Sequence, residues 1–296
     1  MRWPAEALWE ALSPSLPGFT VEILAEIDSS NSELMRRFRG APGAAPQTAP
    51  TLLVAEQQSA GRGRLGRNWH SQRADSLTFS LGLPLLPADW AGLSLVVGIS
   101  LAESLDPFPP IAADHSRIGL KWPNDLWVTG PAGERKLGGI LVETASWEGV
   151  RYLVIGIGIN IRPVRFSSPV EPMEDATAVP ALPPGCLQEL LPGIDAAQAL
   201  LRVVPPLVQA LQAFEQFGFA PFQARFGARD VLAGRSVQLT EGQNVVTGSA
   251  HGVAENGALL VLTASGMKAI TSSEVSVRPT TDTVTAQAKP KATRPC

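Results

Sequence analysis

The stretch GRGRLG at residues 61–66 spells G-x-G-x-x-G, and a further arginine, Arg67, follows it. In a dinucleotide-binding turn a strand runs straight into the first glycine and a helix starts at the last. Here QQSA separates the strand-like TLLVAE from Gly61, and RNWHSQRADS after Gly66 is polar and has no helical spacing. The dinucleotide reading therefore fails on context. Arginine suits another task, because its planar fork grips phosphate or carboxylate with paired hydrogen bonds and stays charged. A loop carrying Arg62, Arg64 and Arg67, with Gly61 and Gly63 letting the backbone close, reads as a lid over an anionic ligand. The plain alternative is a solvated basic loop.

Other clusters favour the lid. KWPNDLWV places Lys121, Asn124 and Asp125 within five residues. RKLGGILVE opens a strand with Lys136 and sets Gly138 and Gly139 where β-branched residues are the usual choice. GIGIN repeats the pattern at Gly156 and Gly158 and ends in Asn160. Glycines in strands suggest a ligand lying flat on the backbone; close strand packing is the alternative. Together the cations and bare backbone point to a nucleotide-phosphate or acyl-phosphate site. It is not a P-loop, since no G-x-x-x-x-G-K-[ST] occurs in the chain.

The elements that must position these residues follow from periodicity. Strands are predicted at 19–27, 51–56, 76–83, 118–122, 126–128, 136–145 and 151–161, with turns at 130–133 and 147–149. Helices are predicted at 4–12, from about Asn31 behind a Ser30–Glu33 capping box, at 89–105, and at 195–217 with a break or kink at Pro205-Pro206. Residues 57–75 read as a long loop, and 162–194 as an irregular Pro/Ser-rich insertion. From about residue 229 the chain becomes short strands bounded by EGQN, ENG and SG, which suggests a small β-barrel. The tail from 280 has no apolar pattern and is expected to be disordered.

Whole-chain properties narrow the function. A net charge of −3 with a pI near 5.7 argues against a bulk nucleic-acid binder, while local basic patches remain open. Two cysteines, Cys186 and Cys296, support neither a disulfide framework nor a cysteine metal site, and no protein-held metal is expected. No run is long enough to span a bilayer, so no membrane role is expected and a reducing cytoplasm is the default.

The motifs DSSN (28–31), EQQSAGRGRLGRNW (56–69), KWPNDLW (121–127), KLGGILVE (136–143) and GIGIN (156–160) together resemble the biotin protein ligases, also called biotin–[acetyl-CoA-carboxylase] ligases. The resemblance runs from about Ile27 to Arg278. It implies an α/β (α+β) fold: a mixed-sheet catalytic domain over 19–228, related to class II aminoacyl-tRNA synthetases, and an SH3-like C-terminal domain over 229–279. It further implies that biotin and ATP, with Mg2+, give biotinyl-5′-adenylate and pyrophosphate, and that biotin then passes to one lysine of a biotin carboxyl carrier protein.

Residue by residue, the resemblance implies that Ser29, Ser30 and Asn31 hydrogen-bond the biotin ring end and that Gln58 contacts its ureido group. Arg62, Gly63 and Arg64 would order over biotin and the adenylate. Lys136 would bind the carboxylate and then the phosphate, Lys121 the phosphates, and Asp125 would orient the acceptor lysine or magnesium. Asn160 would lie near ribose or adenine, Trp69 would wall the pocket, and Gly139 and Gly158 would bare the backbone beneath the ligand. Two features depart from the family: Ser30 replaces a usual threonine, and Leu65 a common arginine. With some 18 residues before the first strand, no helix-turn-helix like that of bifunctional members is expected, so a monofunctional enzyme is expected, monomeric or homodimeric, with residues 1–18 dispensable. The rival enzyme reading is a lipoate ligase or octanoyl transferase, which GRGRLGR disfavours. The rival from another class is a non-catalytic biotin-sensing regulator.

Overall fold

A computed structural model describes residues 2–40, 46–107, 117–131, 133–147, 149–164, 183–241, 244–271 and 275–279. The order is α1 (Ala5–Leu12), β1 (Thr20–Leu24), α2 (Ser30–Arg39), β2 (Thr51–Ala55), β3 (Ser76–Pro84), α3 (Leu93–Leu105), β4 (Arg117–Lys121), β5 (Asp125–Thr129), β6 (Arg135–Trp147), β7 (Val150–Asn160), α4 (Ala196–Phe217) and α5 (Gln223–Gly227). A C-terminal set follows: β8 (Ser236–Glu241), β9 (Asn244–Val253), β10 (Leu259–Thr263), β11 (Gly266–Ile270) and β12 (Val275–Pro279). The first seven strands form one mixed sheet in the order β1-β2-β3-β7-β6-β5-β4, in which only β1 and β2 pair parallel. The C-terminal strands form an antiparallel sheet, β11-β10-β9-β8-β12. Among the described residues no helix is long and apolar enough to cross a membrane.

The two faces of the large sheet have different partners. On one face, Leu77, Ile155 and Leu120 join α3 and α4 in the main core. On the other, α2 lays Leu34, Met35 and Phe38 over Leu53, Tyr152 and Val154 in a smaller core. That helix covers part of its face, and the site lies beside its N-terminus.

Several expectations are corrected. Ser29 caps α2, accepting from the Ser32 amide at 3.4 Å, so the helix starts one residue earlier than expected. Glu33 closes no capping box; its carboxylate holds Arg36 and Arg37 at 2.6 and 2.9 Å. The prolines do not break α4, which runs unbroken through Pro205 and Pro206. An internal proline costs about 3 kcal/mol, but seven large side chains (Leu200, Val203, Val204, Leu207, Val208, Leu211, Phe214) are buried on this helix, each worth roughly 1.5–3 kcal/mol. Its start is fixed by a reciprocal cap between Asp195 and Gln198.

Residues 1–18 are not a detachable lead-in. Leu8, Leu12 and Leu16 enter the main core, and the Trp3 indole donates to Glu56 at 3.0 Å. Nor is the 162–194 segment wholly irregular: Leu187–Glu189 form a helical turn with Leu187 fully buried, while 165–182 lie outside the described residues. The expected disorder of 280–296 also falls outside them.

The two sheets are tied together at β4. Residues 229–231 run beside it, with the Leu120 amide donating to Arg229 O at 2.7 Å and the Val231 amide to Leu120 O at 3.1 Å. The buried Trp122 indole donates to Gly257 O at 3.0 Å.

Candidate active site

Strand register builds the floor. Thr78 pairs with Gly158, Gly158 with Gly139, Gly139 with Asp125, and Asp125 with Lys121. Residues directly opposite in a sheet share a face. One row across β3, β7, β6, β5 and β4 therefore leads from a hydroxyl, over two glycines, to an acid and a lysine, and all five residues line one cavity.

Ser29, Ser30, Asn31 and Gln58 stand at the neutral end of this cavity. The parallel pairing of β1 and β2 continues past the strands as an Ile27–Gln58 bridge, which sets Gln58 beside the start of α2. Gln58 Oε1 accepts from the Ser30 amide at 2.7 Å and its hydroxyl at 3.1 Å. Buried Ser80 reaches Ser30 Oγ at 2.7 Å and Asn31 Oδ1 at 2.6 Å. Asn31 Nδ2 donates to Leu141 O and Glu143 Oε2, which fixes its amide. Three oxygen–oxygen contacts thus share the protons of two hydroxyls, Ser30 and Ser80, between amide oxygens that only accept. The cluster is short of donors and suits a ligand that brings N–H groups.

The glycines differ in purpose. A Cβ on Gly158 would stand 2.5 Å from Trp69 Cζ2, and one on Gly156 2.8 Å from Asn31 Cγ. Those two glycines admit protein side chains, not a ligand directly, which revises the flat-ligand expectation for Gly158. Gly139 fits that expectation: an added Cβ there would first meet Lys136, at 3.4 Å from Nζ, and Asp125 Oδ1 at 3.7 Å. Trp69 walls the cavity over Gly158, and its indole N–H and the Thr78 hydroxyl are buried without a protein partner.

Lys136, Asp125, Lys121 and Arg64 form the charged end. Leu126 pairs with Gly138 but Trp127 with Lys136, so Leu137 is an extra residue in β6. Positions 136 and 139 of a regular strand face opposite ways; the bulge turns Lys136 to the Gly139 face. Its ammonium then meets Asp125 Oδ1 at 2.7 Å. Lys121 lies over the Trp127 ring, 4.7 Å from its centroid. Asn124 donates to Ile140 O at 2.8 Å and accepts from Arg64 at 3.2 Å. Burial pulls Arg64 below the ordinary arginine range, and nearby Asp125 works against that. An anion arriving here would offset the same burial penalty.

The glycine–arginine stretch is a hairpin. Arg62 pairs with Asn68, the Trp69 amide donates to Gly61 O at 2.9 Å, and the Gly63 amide to Arg67 O at 2.7 Å. Leu65 sits exposed at the tip with φ 55°. Arg62, Gly63, Arg64 and Arg67 line the cavity.

Two expected positions lie elsewhere. Gly61 is off the lining, packed against Gln58 Nε2, where an added Cβ would approach to 2.9 Å. Asn160 is also off it: buried, it donates to Gly185 O at 3.1 Å, because residues 183–187 cover that end of β7. Sequence reasoning missed Ser80 and Glu143 and gave Asn124 no role. A signal existed for Ser80, since Ser76, Thr78 and Ser80 share one strand face; that alternation also describes a solvent-facing strand, yet all three are buried.

Comparison with known proteins gives two family matches. Residues 36–160 match the "Biotin/lipoate A/B protein ligase family", and residues 233–278 the "Biotin protein ligase C terminal domain". The Escherichia coli bifunctional ligase/repressor BirA is 35% identical over 266 residues, covering 89% of this chain and 75% of its own. The biotin–[acetyl-CoA-carboxylase] ligase of Paracoccus denitrificans is 30% identical, covering 86% of this chain and 98% of its own. Among solved structures, the Aquifex aeolicus biotin protein ligase in complex with biotin and ATP aligns with a TM-score of 0.65 at 30% identity, over 88% of this chain and 99% of the other.

Proposed function

This chain belongs to the biotin protein ligase family, and from that premise we propose how its cavity divides the work of an ATP-dependent biotin ligase. The enzyme joins biotin to protein at the expense of ATP. The observation that carries the residue roles is the row Thr78–Gly158–Gly139–Asp125–Lys121, which joins a donor-poor neutral end to a cationic end beneath Trp69. Biotin has matching ends: a ureido ring with N–H donors and a carboxylate. The shortage of protons around Ser30 and Ser80 favours the ureido group. Lipoate brings no N–H donor and leaves the shortage in place.

In the first step a biotin carboxylate oxygen attacks the α-phosphorus of ATP, and the bond to pyrophosphate breaks. Carboxylate and triphosphate repel one another, so Lys136, Lys121 and Arg64 hold them together and offset charge growing at phosphorus. Lys136 exchanges Asp125 for the incoming anion. That exchange leaves Asp125 able to receive a proton in the second step, when an acceptor lysine attacks the anhydride carbonyl and AMP departs. The hairpin over Arg64 keeps water from the anhydride. The acceptor is the lysine of a biotin carboxyl carrier protein.

Magnesium enters as part of the ATP substrate. Among the described residues no group of three or more His, Cys, Asp or Glu is placed to hold a metal, and Asp125 is already paired with Lys136. Oxygens from the triphosphate and water suit such an ion better than this donor set. Incubation with labelled biotin, MgATP and a carrier domain, with lipoate in a parallel arm, tests the reading. Labelled carrier and released pyrophosphate with biotin alone support it; transfer of lipoate in preference to biotin overturns it.

A further inference from the structure

We infer that Glu143 is the internal post on which the glycine–arginine hairpin closes, and that Arg62 serves this post and not the ligand. The inference rests on the biotin reading and adds to it a positioning residue. Glu143 stands on β6 two places beyond Leu141, on the cavity face, at the edge where α2 begins. Its Oε1 takes Arg62 Nη2 at 3.0 Å, and its Oε2 takes Asn31 Nδ2 at 3.0 Å. Arg62 also donates to Ser32 Oγ at 3.2 Å. One carboxylate therefore ties together β6, the first turn of α2 and the hairpin.

Two consequences follow. Arg62 lies opposite Asn68 at the base of the hairpin, so fixing it leaves the Gly63–Arg67 tip as the part that has to move for a ligand to enter. Glu143 also sets the sense of the Asn31 amide. Without it, Nδ2 keeps only the longer bond to Leu141 O, 3.3 Å, and the amide is free to turn. A turned amide would point Nδ2 at Ser80 and supply the proton that the neutral end lacks. The preference for a ligand bearing N–H groups would then fall. The pair is half-exposed on the Arg62 side, so a surface ion pair alone predicts little effect on stability. The effect belongs in ligand affinity.

The test uses the full chain as wild type, Glu143→Gln, Arg62→Gln and the double variant. Biotin Kd is measured by calorimetry, Tm by thermal melting, and adenylate formation at saturating biotin. Each single variant is expected to raise biotin Kd about tenfold, roughly 1.4 kcal/mol. Maximal adenylation in Glu143→Gln should stay within about threefold, or roughly 0.7 kcal/mol of barrier, and the double variant should bind biotin no more weakly than the weaker single variant. Penalties that multiply to about a hundredfold would show that the residues act independently, and would overturn the post. An unchanged Kd in Glu143→Gln would overturn it too. If the wild type binds no biotin, the ligand reading fails, and hydrogen exchange decides about Glu143. Faster exchange at residues 61–69 in unliganded Glu143→Gln supports the post; unchanged exchange overturns it.

Discussion

Gly158→Ala should damage the site without disturbing the rest of the fold. Its backbone is ordinary extended strand, so alanine brings no dihedral strain. The damage is steric: the new Cβ would stand 2.5 Å from Trp69 Cζ2 and 2.8 Å from Nε1. Carbon atoms in contact prefer about 3.5–4.0 Å, so the indole has to move by about 1 Å or more. Trp69 cannot retreat as a unit, because its amide is bonded to Gly61 O at 2.9 Å; the ring must tip into the cavity. Overpacking of this kind costs about 1–3 kcal/mol, equivalent to roughly a 5- to 150-fold weaker ligand if the strain falls on the bound state. Biotin Kd by calorimetry and Tm by thermal melting are the readouts. The Kd should rise within that range while Tm drops by a few degrees. In a Trp69→Ala background the second substitution should cost nothing further, since the partner in the clash is gone. A wild-type Kd in Gly158→Ala, or an equal penalty in both backgrounds, refutes the argument.

Further expectations concern the charged end and the C-terminal junction. Lys136→Ala should slow adenylate formation by about 100-fold or more, with Tm little changed, since in the proposed role the lost cation would face charge that grows at phosphorus; a quench-flow rate within about threefold of wild type would remove Lys136 from that role. Arg64→Gly should still form adenylate but release it faster, seen as bystander labelling or in a trapping assay; retention equal to wild type would deny Arg64 the part of a latch. Asp230, beside Leu120, takes one bond from the Leu232 amide at 2.8 Å, while its Oδ2 is buried without a partner. Burial pushes its carboxyl from 3.8 up to about 6. The folded state therefore holds this proton more tightly than the unfolded chain. Its contribution to stability is full below about pH 4, is lost as pH rises towards 6, and at about 1.36 kcal/mol per pH unit the loss is at most about 3 kcal/mol. Asp230→Asn should thus gain stability over wild type at pH 7.5 and not at pH 4, by urea unfolding; an equal difference at both values would contradict the burial argument.

The groups expected to touch ligand were largely legible in the sequence because each sits in a short local motif. DSSN, GRGRLGR, KWPND and KLGG all deliver side chains to one cavity. Asn160 was misread for the same reason. It follows Gly158 in an alternating strand and shares its face, but residues 183–187 return to cover it, and nothing near position 160 announces their arrival. The prolines of α4 were misread in the opposite direction, since a local breaking tendency was outweighed by burial along the whole helix.

What positions the cavity-lining groups is mostly non-local, and this explains why it could not be read in advance. Ser80 meets Ser30 across 50 residues of sequence, and Glu143 meets Asn31 across 112. Even the Lys136–Asp125 pair, only 11 apart, depends on an extra residue at Leu137 that turns the lysine to the cavity. Without that bulge, the strand period would place Lys136 and Gly139 on opposite faces, and the same motif would point its cation into the core opposite Val128. The letters KLGG thus name the chemistry, while the register of β5 on β6 decides whether that chemistry reaches the cavity. Deleting Leu137 would remove the extra residue and leave Lys136 two places before Gly139, still opposite Trp127 and on the cavity face of a regular strand. Adenylation should therefore survive that deletion, measured by quench-flow in a chain that still melts cooperatively; its loss would show that the reach of Lys136 depends on the bulge itself and would refute the argument from strand period.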